Sequence, residues 1–280
     1  MSESTGFLNN LCSGIRKRLN GNKKSKYREV NLGWARQKYL KHLSPGKIYS
    51  HQLFHCETKF YDGPEYFHGL KEIFIDEVYK QELPHNPLIL DCGSHIGLSI
   101  IYLKKSFPSA KIIGFEPDQR NFALLQQNIA QHKLDKVELV NKAVWITNGP
   151  INFRSEGNMG SKIEKGNSDA QMIDAVRLKD YLNQKIDFLK MDIEGAEYEV
   201  LKDIASHLPF IENLFIEYHG SFTQQGELLE ILDLLNRSGF NFYIKEASNV
   251  YEHPFLYRKM QDQRYYDIQL NIFCVRVPEA

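Results

Sequence analysis

From residue 87 onward, short apolar runs alternate with segments whose apolar residues recur every three or four positions. Such runs are typical of strands buried on both faces, and the amphipathic segments are typical of helices. The predicted strands are 88–91, 111–116, 137–144, 186–192, 213–217, 240–245 and 268–277. The predicted helices are 98–106, 119–132, 195–205 and 224–237, with a further helix beginning at 178–182. This alternation predicts an α/β fold of right-handed β-α-β units, in which helices cover both faces of a doubly wound sheet.

Two loops interrupt the alternation. A polar, glycine-rich stretch at 146–174 contains one candidate hairpin strand at 150–153. The loop 247–267 shows little helical character, so the strand that follows it can enter the sheet antiparallel to its predecessor.

Residues 30–86 follow a different pattern. Short β segments are expected at 47–50 and 52–55, and a helix at 66–79. We therefore expect three parts: a basic N-terminal helix or tail (1–29), an N-terminal cap (30–86) and the α/β domain (87–280).

Composition narrows the function classes. The 35 basic residues balance the 35 acidic ones, which argues against a nucleic-acid binder. No apolar run approaches the ~20 residues of a membrane span, and no signal-peptide core is present. The four cysteines lack metal or redox spacing. These features predict a cytoplasmic protein.

The charges balance over the whole chain but not at its N-terminus. Residues 1–28 hold seven basic side chains and one acid, beside apolar residues at helical spacing. Two interpretations stay open for this segment: weak contact with an anionic membrane surface, or a solvated terminal helix.

The segment Asp91-Cys-Gly-Ser-His-Ile-Gly97 lies between the strand at 88–91 and the following helix. Glycine at 93 permits a positive φ or a close approach of a ligand, and glycine at 97 permits tight packing of helix on strand. Glu116 ends the next strand. Ligands bind at this edge of such sheets, so we expect a cofactor there. The candidate cofactor residues are Asp91, Gly93, Ser94, His95, Gly97, Glu116, Pro117 and Ala143.

The acids of this motif indicate which cofactor fits. Asp91 would repel a pyrophosphate but suits a cofactor with a cationic amino-acid portion. Glu116 is placed to accept hydrogen bonds from both ribose hydroxyls. S-adenosylmethionine therefore fits this segment better than NAD.

From about residue 50 to 275 the chain resembles the FkbM family of S-adenosylmethionine-dependent methyltransferases. The segments that carry the resemblance are 89–98, 114–118, 141–145, 188–197 and 215–219. The resemblance implies a class I, Rossmann-like methyltransferase fold whose seven-stranded sheet has an antiparallel last strand. It also implies methyl transfer, usually to a hydroxyl on a sugar, glycan or secondary metabolite. His95 stands where many members of the wider superfamily carry glycine, so an unusual backbone angle is expected there.

The candidate catalytic residues are Asp192, Glu217 and His219, at the ends of two predicted strands. His219 is the candidate general base, because its ordinary pKa lies near neutral pH. Asp192 is expected to orient the acceptor hydroxyl or take its proton, and Glu217 to hold His219 or bind a sugar hydroxyl. Glu194 and Glu197 are interpreted as acids at a helix N-terminus.

Three alternatives remain. The same trio could hold a divalent cation, but its histidine disfavours magnesium, and we predict no metal. An NAD-dependent oxidoreductase or epimerase would need G-x-G-x-x-G after a strand, which is absent from the sequence. A non-catalytic binding module would be expected to lack the acids at 91, 116 or 192, and all three are present. The expected partner is a small-molecule or glycan acceptor.

Overall fold

The computed structural model describes residues 26–154, 162–163, 171–259 and 266–276. The chain forms two compact units, the first ending at Lys80 and the second beginning at Gln81. Most of the predicted basic segment lies outside the described residues. Within the described ranges, no helix is long and apolar enough to cross a membrane.

From residue 26 onward, the first unit consists of short helical segments and a hairpin. After a helical turn at 26–29 come α1 (Trp34–Lys41), β1 (Tyr49–Leu53), β2 (Cys56–Phe60), α2 (Gly63–Gly69) and a π-helical turn (Leu70–Ile75). Phe54 and His55 turn the hairpin with left-handed φ angles of 49° and 66°. The Asp62 side chain begins α2 by accepting a hydrogen bond from the Glu65 amide at 2.8 Å. The expected β segments therefore form one hairpin, and the expected helix starts and ends earlier than predicted.

The second unit is built on a seven-stranded sheet in the order β12-β13-β11-β10-β3-β4-β5. Its strands are β3 (Leu88–Cys92), β4 (Lys111–Phe115), β5 (Val137–Val140), β10 (Ile186–Met191), β11 (Ile211–Gly220), β12 (Phe240–Glu246) and β13 (Ile268–Arg276). Its helices are α3 (Leu98–Ser106), α4 (Gln119–Gln131), α5 (Glu197–Asp203) and α6 (Gln225–Arg237). β13 runs antiparallel to the other six strands, which are parallel to one another. The predicted class I methyltransferase topology is confirmed.

Capping residues set the helix boundaries in this unit. Asp118 precedes α4, and its carboxylate accepts from the amides of Arg120 and Asn121, each at 2.9 Å. Gly239 follows α6 with a φ of 80°, as expected of a glycine at the end of a helix.

The predicted strand 137–144 is wrong as a single element. Its first half is β5, whereas its second half, β6 (Ala143–Trp145), joins a separate four-stranded sheet. The other strands of that sheet are β7 (Gly149–Arg154), β8 (Lys162–Ile163) and β9 (Gln171–Arg177). Asn141 lies at the break, where its side-chain amide donates to the Glu116 carbonyl at 2.8 Å. This hydrogen bond holds the chain in a turn at the end of β5.

Two further details differ from the sequence-based expectation. β9 was not predicted, because charged residues such as Asp174 and Arg177 fall within it. The helix expected from 178 is a single 3-10 turn, Leu178–Tyr181.

Candidate active site

The loop after β3 is fixed by its backbone. Gly93 and Gly97 have φ angles of 87° and 94°, and His95 has the expected unusual angle, 47°. The amides of Gly93 and Ser94 both donate to the Phe115 carbonyl, at 3.0 and 2.8 Å. A Cβ on Gly93 would lie 1.8 Å from the Asp192 carbonyl oxygen. Position 93 therefore requires glycine for two reasons, its backbone angle and the chain that follows β10.

Glu116 comes directly after β4, beside this loop, and is 5% exposed. Its Oε2 accepts from the His95 amide at 2.8 Å, and its Oε1 accepts from the Asp118 amide at 2.9 Å. Burial raises the pKa of Glu116 to about 7, although the charge of His95 and these amide bonds oppose the rise. A carboxylate oxygen has about two acceptor sites, so each oxygen keeps one for a ligand.

Asp91 is fully buried and is used inside the protein. Ser99 Oγ donates to Asp91 Oδ2 at 2.5 Å, and Lys190 Nζ lies 3.3 Å from Asp91 Oδ1. Lys190 also donates to the Gly93 carbonyl at 2.7 Å and lies 3.2 Å from Asp192 Oδ2. Asp91 and Lys190 thus tie the glycine loop to the end of β10.

Sequence reasoning missed Lys190. The available signal was a lysine inside the predicted strand 186–192, and the structure shows that all six residues of β10 are buried. Buried lysines are rare unless they are paired, so a partner acid was to be expected.

The remaining candidate cofactor residues lie around the same edge. Ser94 Oγ donates to the Asp91 carbonyl at 3.0 Å, and Pro117 is half-buried next to Glu116. Ala143 is buried at the start of β6, in the smaller sheet. The hydrogen bond from Asn141 to the Glu116 carbonyl brings this segment towards the carboxyl end of β4.

The three candidate catalytic residues come together at the ends of β10 and β11. Asp192 directly follows β10, while Glu217 and His219 lie near the end of β11, which continues to Gly220. Two residues apart on one strand, Glu217 and His219 share a face. His219 Nε2 lies 3.7 Å from Glu217 Oε1. The parallel pairing of β10 with β3 and β11 places this cluster at the same sheet edge as the glycine loop.

Two more acids belong to the cluster. His219 Nδ1 lies 3.3 Å from Glu197 Oε1, and His219 Nε2 lies 3.6 Å from Glu194 Oε2. Glu197 begins α5 as expected, and it accepts from the amides of Ile193 and Gly195 at 3.0–3.1 Å. Its carboxylate therefore contacts both the turn that precedes α5 and the imidazole of His219. The sequence signal was a run of acids, Asp192-Ile-Glu-Gly-Ala-Glu197, at a strand-to-helix turn.

The turn between β10 and α5 is held in an uncommon conformation. Glu194 has a left-handed φ of 55°, and Gly195 follows with 92°. The Tyr266 hydroxyl donates to the Glu194 carbonyl at 2.8 Å, and the Tyr266 ring lies 4.8 Å from the imidazole of His219, centroid to centroid. A non-glycine residue at positive φ costs free energy and is common at functional sites.

The cluster is electrostatically unusual. Burial acts to lower the pKa of His219, but the Glu197 hydrogen bond and the charges of Glu194 and Glu217 outweigh it and raise that pKa. Burial raises the pKa of Glu194, against the attraction of His219, and the surrounding carboxylates raise it further. Perturbed groups of this kind mark candidate functional sites.

Three of the known proteins with similar sequences are named methyltransferases. "Methyltransferase 1" of Beauveria bassiana (strain ARSEF 2860) is 27% identical over 205 residues, covering 63% of this chain and 80% of that protein. "Methyltransferase sdnD" of Sordaria araneosa is 29% identical over 211 residues, covering 61% and 80%. "2-O-methyltransferase NoeI" of Sinorhizobium fredii (strain NBRC 101917 / NGR234) is 28% identical over 175 residues, covering 54% and 71%.

The methyltransferase FkbM domain matches residues 91–242, which is more than half of the chain. The matched segment runs from the end of β3 into β12 and includes Glu116 and the acids and histidine at the ends of β10 and β11. With this match and the sheet order described above, the chain belongs to the FkbM family of methyltransferases.

Proposed function

We propose that this protein uses S-adenosylmethionine to methylate a hydroxyl oxygen on a sugar, glycan or secondary metabolite. The observation that carries the proposal is the pairing of two sites on one sheet edge. Glu116 lies beside the glycine loop after β3. The cluster of Asp192, Glu217 and His219 lies at the ends of β10 and β11, the two strands that follow β3 in the sheet on the side away from β4. The relative named a 2-O-methyltransferase supports oxygen as the methylated atom.

The residues around the glycine loop fit S-adenosylmethionine. Glu116 keeps one acceptor site on each carboxylate oxygen, which matches the two hydroxyls of a ribose. Gly93, Ser94, His95 and Gly97 form the loop expected to face the amino-acid end of the cofactor, with Pro117 and Ala143 beside the adenosine. Asp91 acts in this proposal as a positioning residue, because Ser99 and Lys190 use its carboxylate.

The acceptor end of the site must hold a hydroxyl and receive its proton. S-adenosylmethionine supplies a methyl group on a sulfonium: the C–S bond breaks with its electron pair on sulfur, a C–O bond forms, and the hydroxyl proton leaves. Asp192 and Glu217 have side chains 24% and 20% exposed, so both can meet an incoming acceptor. In our proposal they orient the hydroxyl. His219 takes its proton in the form of the protein whose imidazole is neutral, a form that the raised pKa of His219 makes minor at neutral pH.

A methyl-transfer assay tests this function. We expect purified protein to move a labelled methyl group from S-adenosylmethionine onto at least one member of a panel of sugars, glycolipids and cell-extract metabolites. Fragmentation mass spectrometry of the product is expected to place the methyl group on oxygen. Methylation on nitrogen would overturn the hydroxyl assignment.

Two other outcomes favour the alternatives. Tight binding of NAD with no response to S-adenosylmethionine would support an oxidoreductase or epimerase. Binding of S-adenosylmethionine with no transfer to any acceptor would support a binding module. Titration calorimetry with both cofactors separates these outcomes.

The raised pKa of Glu116 predicts pH-dependent cofactor binding. The ionised carboxylate accepts both ribose hydroxyls, whereas a protonated oxygen must donate. With a pKa of about 7, the ionised fraction falls about tenfold between pH 8 and pH 6. We expect S-adenosylmethionine affinity to weaken by roughly that factor over this range, measured by titration calorimetry.

The Glu116→Gln variant is the control, because the ionisation of the ligand is the same for both proteins. The variant is expected to bind more weakly and to lose the component of pH dependence due to residue 116. Parallel pH curves for the two proteins would contradict the assignment of Glu116 to the ribose.

A further inference from the structure

We propose that Asp192, Glu194 and His219 form a binding site for a divalent cation. The three side chains lie at the turn after β10 and near the end of β11, and each offers one ligand atom, all within 4.8 Å of one another. Ligands bound about 2.1 Å from one ion lie about 3–4.2 Å apart. Small side-chain shifts therefore bring the three atoms around a single ion.

The imidazole is oriented as in a metal site. The side chain of His219 is 3% exposed, and its Nδ1 faces Glu197, which is itself buried and held by the amides of Ile193 and Gly195. A carboxylate on one ring nitrogen fixes the tautomer and turns the other nitrogen outward as a ligand. The outward nitrogen, Nε2, faces the carboxylates of Glu194 and Glu217.

The atoms that face each other in this pocket are too far apart to satisfy one another directly. His219 Nε2 lies 3.6 Å from Glu194 Oε2 and 3.7 Å from Glu217 Oε1, beyond ordinary hydrogen-bond length. Among the residues that the structure describes, Glu194 Oε2 is a buried atom without a hydrogen-bond partner. Buried polar atoms are nearly always paired, so this oxygen points to a missing partner. A cation between the oxygen and the nitrogen satisfies both.

The charge of the pocket has the sign that a cation requires. Four carboxylates surround one imidazole, those of Asp192, Glu194, Glu197 and Glu217. Lys190 contacts Asp192, but it is shared with Asp91 and with the Gly93 carbonyl. Buried carboxylates cost free energy unless a positive charge compensates them.

The donor set indicates the class of cation. Imidazole nitrogen is common at first-row transition metals, and carboxylate oxygens suit manganese and magnesium. One nitrogen and two carboxylates, with further coordination positions open, fit Mn²⁺ best. Mg²⁺ is expected to bind more weakly, because it prefers a coordination sphere made only of oxygen atoms. The partly exposed Asp192 leaves the site open to an acceptor.

The role of this cation rests on the proposed function, although its binding does not. A cation bound here would coordinate the acceptor oxygen and lower the pKa of its hydroxyl. The proton would then pass to Glu217, and the methyl group would form its C–O bond with the resulting alkoxide as the C–S bond breaks. His219 would act as a ligand in this arrangement.

Direct binding measurements test the site without using activity. The full-length protein is treated with a chelator and titrated with Mn²⁺, while electron paramagnetic resonance follows the free ion. We expect one saturable Mn²⁺ per chain and, in the spin-echo spectrum, modulation from one imidazole nitrogen. The absence of saturable binding at millimolar Mn²⁺, or bound Mn²⁺ without nitrogen modulation, would overturn the proposal.

Matched variants locate the ion. Glu194→Gln and His219→Gln are expected to weaken Mn²⁺ binding at least tenfold, whereas Glu199→Gln, at an exposed acid of α5, is expected to leave it unchanged. Equal weakening by all three would contradict the assignment. The nitrogen signal of the wild-type protein decides the question even if a variant fails to fold.

The two proposals fail separately. Mn²⁺ binding without methyl transfer to any acceptor would remove the proposed function and leave the cation site. Methyl transfer that resists chelation, in a protein that binds no Mn²⁺, would remove the cation site and leave His219 as the base.

Discussion

Replacing Lys190 with methionine is expected to lower the free energy of unfolding by about 3–5 kcal/mol, the cost of removing one partner from a buried ion pair. The Asp91 carboxylate is fully buried, and Lys190 is the cation that faces it, 3.3 Å away. The change also removes the hydrogen bond from Lys190 Nζ to the Gly93 carbonyl. Urea denaturation of the full chain, followed by circular dichroism, measures the loss.

Lys185, which directly precedes β10, provides the control. Lys185 is 65% exposed and pairs with Glu212 at the surface, so Lys185→Met is expected to cost less than about 1 kcal/mol. The double variant Asp91→Asn, Lys190→Met is expected to recover part of the loss, because no buried charge remains unpaired. If Lys190→Met cost no more than Lys185→Met, the buried pair would not have the structural role described above.

Replacing His219 with glutamine is expected to reduce kcat by about 10²–10⁴-fold, the usual contribution of a positioned proton-transfer group. A decrease in kcat is also expected if His219 Nε2 holds a cation, because the glutamine amide is a weaker metal ligand than the imidazole. S-adenosylmethionine affinity is expected to stay within a few-fold of the wild type, since the glycine loop follows β3 and Glu116 follows β4, away from His219 on β11. Single-turnover kinetics and titration calorimetry separate the two effects.

A surface histidine controls for this change. His207 lies in the 3-10 turn Ala205–Phe210 and contacts the Ser206 hydroxyl at the surface. His207→Gln is expected to leave kcat unchanged. A loss of less than tenfold in the His219 variant, in a protein shown by circular dichroism to be folded, would remove His219 from the chemistry.

The strands that carry the glycine loop, Glu116 and Asp192 could be predicted, because each is marked by a short run of neighbouring apolar residues. β3, β4 and β10 appear in the sequence as apolar runs, and the first and third are buried almost throughout. Asp91, Glu116 and Asp192 then fall at strand ends, where the parallel arrangement gathers them. The helix α3 was predicted at its observed boundaries, since its apolar residues and the preceding glycine define them.

The partners of these acids could not be predicted, because they depend on contacts between distant segments. Lys190 meets Asp91 and Gly93 across nearly a hundred residues of sequence. Periodicity reports that a residue is buried, but it does not identify the side chain that it faces. For the same reason the sequence predicts only that Glu197 is an acid at the start of a helix. The structure shows that its carboxylate also contacts and orients His219.

The turn at Asn141 shows a second limit. Val137–Val140 and Ala143–Trp145 are both apolar and together resemble one long strand. In the structure Asn141 lies between them, and its side-chain amide donates to the carbonyls of Glu116 and Pro117, which follow β4. The break between the two sheets therefore coincides with a contact between distant segments, which the linear pattern does not contain.

The close approach of Gly93 to the Asp192 carbonyl has a consequence for how acceptor choice can change over evolution. At this point the loop proposed to face the cofactor and the turn proposed to face the acceptor meet through main-chain atoms. In the proposed site this main-chain contact, together with Lys190, sets the spacing between the two halves, so other side chains that line the acceptor pocket can change without altering it. Since methyl transfer depends on a short, aligned approach of the reacting atoms, side chains around the acceptor can diverge to admit new molecules while that spacing is retained.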